Sequence, residues 1–463
     1  MRGRRLHYIA IGGAGMSGLA LVTRALGAQV TGSDRSESSY MERLRAAGIE
    51  PYLGHDADQV PADAEVVVST AVPGDNPELV RARERGQTVI HRGELLAELC
   101  SQRRLLAVAG THGKTTTAAM CVWALRGIAD AAFFLGGELL GAGPGGEPAN
   151  GGWGEGDWVV AEADESDASF LKLRPEIAAI TNLELDHHSR WRSLAELAEA
   201  FAAFVAPARA MVTGADVRLP GQEGQRVVRF ALEAAPGQSA PKADLLATEI
   251  SAAPDGGSRF RAQGADIDAE VVLRVPGRHN IANALAALGG LSLAGFDAEA
   301  CARALRDFPG VSRRFEFKGE RNGARIYDDY AHHPTEVSAT LEAARELGPR
   351  RLIAAFQPHL YSRTKALAAE FGVALAAADE VAVLDVYPAR EEPVGRLAGV
   401  SGLMVADQAA DRARGGRVWW LRSAETAVEA LGPRLEEGDL LITIGAGDIY
   451  QLAEALVDGA EPR

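Results

Sequence analysis

A chain of 463 residues is too long for one ordinary hydrophobic core, so three domains of about 150 residues are the starting expectation. Its net charge of −15, with no Lys/Arg block beyond Arg2, Arg4 and Arg5, argues against a nucleic-acid-binding face. Cys100, Cys121 and Cys301 are scattered, and no stretch reads as a secretory signal or a membrane span, so a soluble cytoplasmic protein without stable membrane association is expected.

Residues 6–11, LHYIAI, are an apolar run that breaks into Gly12, Gly13, Ala14 and Gly15, with Gly18 beyond. The pattern predicts a strand, a tight turn and a helix whose N-terminus faces a ligand crevice. The next predicted strand, residues 28–34, ends at Asp34, near where a dinucleotide fold places its ribose-binding acid. The glycines read either as a nucleotide-diphosphate site or as a plain tight turn. Further strands are predicted at 64–70 and early in 88–100, with helices at 76–85 and at the end of the second stretch. The alternation implies a parallel sheet covered by helices, in a first domain spanning residues 1–100.

Residues 105–117, LLAVAGTHGKTTT, organise the rest of the chain. An apolar strand runs into Gly110, Thr111, His112, Gly113, Lys114, Thr115 and Thr116, and then into a helix. Such a turn aims backbone N–H groups and a helix N-terminus at one spot, beside a lysine charge and a hydroxyl, which is a cradle for a polyphosphate and its magnesium ion. Two residues separate Gly110 from Gly113 where the standard loop has four, so the loop is a shorter variant. Lys114 is expected to bridge the terminal phosphates and Thr115 to hold magnesium.

The glycine-dense stretch 141–156 is expected to be a surface loop without a regular element, and its closeness in sequence to the phosphate loop also allows a mobile edge of the site. Strands at 157–161 and in 177–182 each end in polar clusters, EADESDASF and TNLELDHHSR, as an open α/β sheet does where its ligand sits. Glu162 and His187 are the preferred further metal contacts. Asp164, Glu165, Asp167 and Asp186 cannot all be ligands, and most are expected to orient the others or cap helices. A helix is predicted at 192–206, and extra edge strands between 215 and 275. In 275–295, Asn280 and Asn283 lie one turn apart on an alanine-rich helix, suited to a purine edge or, more plainly, to capping and solvent.

The composition shifts near Pro309, and a third α/β domain is expected over 310–463, with a central domain over 101–309. Two strands joined by a turn at Asn322 and Gly323 lead to DDYAHHPTEV. There Asp328 and Asp329 end a strand and His332, His333 and Pro334 enter a helix. FQPHLYSRT repeats the arrangement with Gln357, His359, Tyr361 and Arg363. Arg363 is suited to grip a carboxylate in bidentate fashion, and His332 to hold or deprotonate an amine.

Taken in order, IGGAGMSGLA, GTHGKTTT, EADESDASFL, TNLELDH, PGRHNIANALAA, RRFEFKG, DDYAHHPTEV, FQPHLYSRT and GAGD resemble the Mur ligase family of peptidoglycan synthesis, in its alanine-adding branch, over nearly the whole chain. The resemblance implies an N-terminal Rossmann-like UDP-binding domain, a central P-loop-type ATPase domain and a C-terminal Rossmann-like domain that closes over both. It implies an ADP-forming ligase that uses ATP and Mg2+ to join L-alanine to the lactyl carboxylate of UDP-N-acetylmuramate through an acyl phosphate, working as a monomer or weak homodimer. Carried onto this chain, the UDP-sugar would meet Gly12, Gly13, Ala14, Gly15, Met16, Ser17, Asp34, Ser69, Thr70 and His91. ATP would meet residues 110–116, Asn280, Asn283, Arg314 and Asp328. The metal would meet Thr115, Glu162 and His187, and L-alanine would meet Tyr330, His332, His359 and Arg363. Lys114, His332 and Arg363 would carry the catalysis. This chain departs from the family at Leu360, where arginine is frequent, and at His188, where an apolar residue is. The lysine that later-acting relatives carbamoylate has no counterpart between His187 and Lys242. A tripeptide-adding recycling ligase is the nearest rival. A nicotinamide oxidoreductase built on Gly12–Gly18 and Asp34, or a nucleotide switch, would leave the later motifs without work.

Overall fold

The computed structural model describes residues 1–143, 145–186, 190–220, 224–234, 241–254, 256–413 and 415–459. It contains three α/β sheets, one per domain. The first is built from β1 (Arg5–Ile9), α1 (Ala14–Ala25), β2 (Gln29–Asp34), α2 (Ser39–Ala46), β3 (Tyr52–Leu53), β4 (Glu65–Val68), α3 (Pro77–Glu84), β5 (Val89–His91) and α4 (Arg92–Cys100). Its order is β3-β2-β1-β4-β5 and every pairing is parallel, so β1 is central and its apolar side chains are buried. A polar cluster lies inside this domain. Glu78, at the start of α3 and fully buried, meets the Nε2 of buried His7 at 2.9 Å and the Nδ1 of His55 at 3.2 Å, and it accepts the Ser33 hydroxyl at 2.7 Å.

The second sheet follows with β6 (Arg104–Ala109), α5 (Lys114–Leu125), β7 (Ala132–Leu139), β8 (Ala149–Gly152), β9 (Trp158–Glu162), β10 (Ile177–Ile180), α6 (Leu194–Val205), β11 (Ala210–Gly214), β12 (Arg226–Leu232), β13 (Leu245–Ala252), β14 (Ser258–Gly264) and β15 (Ile267–Leu273), then α7 (Arg278–Ala294) and α8 (Ala298–Leu305). Strand β6 pairs in parallel with β9 on one side and β10 on the other. The loop after β6 therefore opens at the carboxyl edge between two neighbours, where α/β sheets bind ligands. Strands β12–β15 extend the sheet at its edge.

The expectation that 141–156 holds no regular element is corrected by β8, which pairs antiparallel with β7. The reason is that glycine here makes room for another backbone. A Cβ on Gly18 of α1 would stand 2.9 Å from Asn150 O, and one on Gly151 2.8 Å from Gly18 O. The strand and α1 press main chain to main chain. The Asn150 amide also donates to Ala14 O at 2.6 Å and to the Ser17 hydroxyl at 2.8 Å.

The third sheet comprises β16 (Glu316–Arg321), β17 (Ala324–Asp329), α9 (Pro334–Glu346), β18 (Leu352–Phe356), α10 (Tyr361–Leu375), β19 (Glu380–Val383), α11 (Leu403–Ala410), β20 (Arg417–Trp420), α12 (Ala424–Leu431), β21 (Leu440–Ile444) and α13 (Tyr450–Asp458), in the order β16-β17-β21-β18-β19-β20. Asn322 and Gly323 turn the β16–β17 hairpin with φ of 53° and 76°, the left-handed pair that a two-residue hairpin favours. Buried apolar clusters cover both faces of this sheet.

By compactness the chain divides into two units. One is Met1–Ser251 with Arg259–Val272 and Ile281–Pro309; the other is Ala252–Ser258 with Leu273–Asn280 and Gly310–Arg463. Within the first unit one buried apolar cluster runs from Leu6 and Tyr8 of the first sheet to Ala107 and Ala109 in the second, and a smaller one gathers Ile9, Val60, Val66, Leu79 and Ala82 on the first sheet.

Candidate active site

In the phosphate loop, Gly110 has φ 135° and Gly113 φ 78°. A Cβ would come within 2.0 Å of Thr181 Oγ1 at the first position and 2.3 Å of Asn283 Oδ1 at the second. Neighbouring strands brace the turn: Thr111 Oγ1 donates to Glu184 O at 2.8 Å, His112 N to Asn182 Oδ1 at 2.9 Å, and Thr181 Oγ1 to His112 O at 2.6 Å. Lys114 and Thr115 open α5, and Thr116 is buried in its first turn. A Gly110→Ala variant is expected to lose ATP-dependent turnover by about a hundredfold or more, since the loop must shift by an ångström to admit the methyl. ADP release, with the melting temperature as a check of folding, measures it.

The Lys114 ammonium donates to Gly110 O at 2.7 Å and Thr111 O at 3.0 Å, and pairs with Glu165 at 3.0 Å. Burial works against its charge, but the carboxylates of Glu165, Asp164 and Glu162 outweigh burial and raise its pKa. Glu165, only 2% exposed, is pushed up to about 7 by burial, against the pull of Lys114. Asp164 is half-buried, which works against its charge, yet Arg92 and Lys114 hold it down at about 2. Thr115 Oγ1 donates to Glu162 Oε1 at 3.1 Å, and Glu162 Oε2 accepts Gly136 N–H at 2.7 Å. A hydroxyl and a carboxylate meeting at a helix N-terminus are hard oxygen donors that suit magnesium. His187, the third expected ligand, lies outside the described residues.

Around the glycine turn of the first domain, Gly12 N–H donates to Asp34 Oδ2 at 2.9 Å. Gly13 caps α1, and the amides of Met16 and Ser17 donate to its carbonyl at 3.0 and 2.9 Å, so these two shape the turn and leave the Ala14 and Gly15 amides at its mouth. Ser69 Oγ accepts Ala71 N–H at 3.3 Å, Thr70 Oγ1 donates to Asp167 Oδ2 at 3.4 Å, and His91 caps α4. Sequence reasoning missed Arg92. Its Nη2 donates to Asp164 at 2.9 Å and Asp167 at 3.0 Å, while its Nη1 stands 2.9 Å from where a Gly15 Cβ would be. One guanidinium thus joins the glycine turn to the EADESD stretch. The only signal in the sequence was its place, directly after a strand that ends in His91.

In the second unit, Tyr330, His332 and His359 stand in a row, with ring centroids 5.5 Å and 6.1 Å apart. His332 Nδ1 lies 3.1 Å from Tyr330 O, and Arg363 is in the first turn of α10. Burial first, and then the electrostatic influence of His332, Arg363 and Arg390, push His359 down to about 3, so it is neutral. Beyond His359 the Tyr387 ring stacks at 5.8 Å, a residue that no sequence motif singled out. Asp328 is fully buried and bound by Arg313 Nε at 3.0 Å and Thr443 Oγ1 at 2.6 Å. Arg314 instead lies over the Tyr330 ring at 4.9 Å. Asn280 and Asn283 are buried on α7; Asn280 Nδ2 donates to Pro276 O at 2.7 Å, and Asn283 lies against Gly113.

Residues 5–104 match the Mur ligase family catalytic domain, 154–291 the Mur ligase middle domain, and 313–447 the Mur ligase glutamate ligase domain. The chain is 45% identical to a UDP-N-acetylmuramate--L-alanine ligase of Rubrobacter xylanophilus, covering 98% of this chain and 99% of the relative. It is 41% identical to one of Streptomyces coelicolor, covering 98% and 97%. Among solved structures, the UDP-N-acetylmuramate-alanine ligase of Thermotoga maritima matches with a TM-score of 0.84 at 29% identity over 98% of both chains. A murein peptide ligase of Psychrobacter arcticus matches with 0.70 at 26%, over the same shares. With its three sheets, its short phosphate loop and full-length likeness of this degree, the chain belongs to the Mur ligase family.

Proposed function

We propose that the chain joins L-alanine to the lactyl carboxylate of UDP-N-acetylmuramate with hydrolysis of ATP to ADP and phosphate, as a step of peptidoglycan precursor synthesis. The observation that carries this reading is the full-length likeness to ligases of that name, together with the bracing of Lys114 and Thr115 at the head of α5. Among the described residues no helix is long and apolar enough to cross a membrane. We further propose a cytoplasmic monomer or weak homodimer, with the UDP-sugar in residues 1–100, ATP in 101–309 and the amino acid in 310–463.

The carboxylate attacks the γ-phosphorus of ATP, the bond to ADP breaks, and an acyl phosphate results. Anions must be brought together for this. Lys114 is the cation at the loop, and its raised pKa keeps it charged at neutral pH. Thr115, Glu162 and His187 would hold Mg2+, which when bound screens phosphate charge. In the second step the neutral amine attacks the acyl carbon, phosphate leaves, and the nitrogen gives up a proton. His359, neutral by burial and by the charges of Arg363 and Arg390 beside it, accepts a hydrogen bond from the amine without repelling it, and the neutral form of His332 takes the proton. Arg363 grips the amino-acid carboxylate.

The test is ADP release from ATP, magnesium and UDP-N-acetylmuramate with L-alanine, L-serine, glycine, D-glutamate or the tripeptide, with the product weighed by mass spectrometry. The expected result is the fastest release with L-alanine and a product heavier by one alanyl residue. Faster release with the tripeptide would overturn the assignment in favour of the recycling reaction.

A further inference from the structure

The strand end that carries His359 is crossed by the loop that follows β19. Tyr387 N–H donates to Pro358 O at 2.8 Å, and Leu360 N–H to Tyr387 O at 2.9 Å. Further along that loop, Glu391 takes both the N–H of Ser362 at 2.8 Å and its hydroxyl at 2.5 Å. Arg390 is therefore held between two anchored neighbours, Tyr387 and Glu391, beside the helical turn that carries Arg363. Each crossing segment contains a non-glycine residue with left-handed backbone, Leu360 at φ 70° and Ala389 at φ 51°. Such strain persists where surrounding contacts over-determine it, and it gathers at ligand sites.

The charges point the same way. Arg390 is exposed and makes no ion pair or side-chain hydrogen bond among the described residues. Among the described residues, the groups that shift His359 electrostatically are His332, Arg363 and Arg390, with no carboxylate among them. The His359 Nδ1 is buried and lacks a hydrogen-bond partner among the described residues. Guanidinium groups beside a neutral imidazole suit a ligand that is an anion at one end and a hydrogen-bond donor at the other, as an α-amino acid is. Resting on the function proposed above, we propose that Arg390 is a second arginine for the α-carboxylate of the incoming amino acid, closing with Arg363 on that group from the opposite segment of the crossing.

The test compares L-alanine with L-alaninamide, which keeps the amine and methyl but has no carboxylate, in the unaltered enzyme and in Arg390→Ala and Arg390→Lys. Loss of a charge-assisted contact is expected to raise the KM for alanine about ten- to a hundredfold in Arg390→Ala, with kcat and the KM for ATP within about twofold. The preference for alanine over alaninamide should shrink by the same factor. Arg390→Lys should recover part of it, having the charge without the fork. Equal losses with alanine and alaninamide, or an unchanged KM for alanine, would overturn the role of Arg390 and leave the reaction standing. Absence of alanyl product from the unaltered enzyme would overturn the reaction and this role together.

Discussion

Lys114→Met is expected to lower turnover by roughly a thousandfold while UDP-sugar affinity stays within about twofold. The size follows from removing a preorganised cation from a water-poor site where negative charge gathers, a loss of about 3–4 kcal/mol or more of transition-state stabilisation. The selectivity follows from the structure, since among the described residues Lys114 bonds to the loop carbonyls and Glu165 and to nothing in the Gly12–Gly15 turn. Single-turnover ADP formation and calorimetric titration with the UDP-sugar measure the two effects; turnover near that of the parent would remove Lys114 from the mechanism. The same variant should alter the pH dependence of stability. The folded-state pKa of Glu165, about 7, lies above its ordinary 4.5. Its contribution is therefore most favourable below 4.5 and is lost as pH rises through 7. Without the lysine, which pulls that pKa down, the loss should move to higher pH.

Glu78→Leu is expected to destabilise the protein by about 3–5 kcal/mol, because it strips buried His7 and Ser33 of a shared acceptor and leaves the Asp56 amide without one. For a cooperative unit of this size that corresponds to a fall of roughly 10 °C in melting temperature, read by calorimetry. Burial opposes the Glu78 charge, yet His7 and Ser33 together draw its pKa below the ordinary value. The parent's share of this stability is thus present above pH 4.5 and lost as pH falls through the lowered pKa, a component of the acid limb that the variant should lack. Because Ser33 precedes Asp34 on β2, UDP-sugar affinity should fall as well. A melting temperature within 2 °C or so of the parent would show that the cluster is replaceable.

What the sequence made legible was whatever is encoded locally. The strand–turn–helix at Gly110–Lys114, the hairpin at Asn322 and Gly323 and the alternation of the first domain each rest on residues that are neighbours in the chain. What it hid was pairing across the chain. Nothing near Arg92 announces that its partners are Asp164 and Asp167, and nothing near Tyr387 announces His359. The strand at Ala149–Gly152 was hidden for a subtler reason. Glycine density ordinarily signals irregular chain, and here it serves close approach, which is visible only when Gly18 is seen opposite. The pairing of Asp328 with Arg313 and Thr443 was hidden in the same way, since Thr443 lies far along the chain.

That crossing of α1 over β8 bears on how the protein melts. Main chain packed on main chain cannot loosen gradually: either Gly18 and Gly151 are in register and Asn150 reaches Ala14 and Ser17, or the whole seam parts. Calorimetry should accordingly record the first two sheets as one endotherm whose van't Hoff and calorimetric enthalpies agree, and Gly18→Val, by wedging the seam, should split it in two.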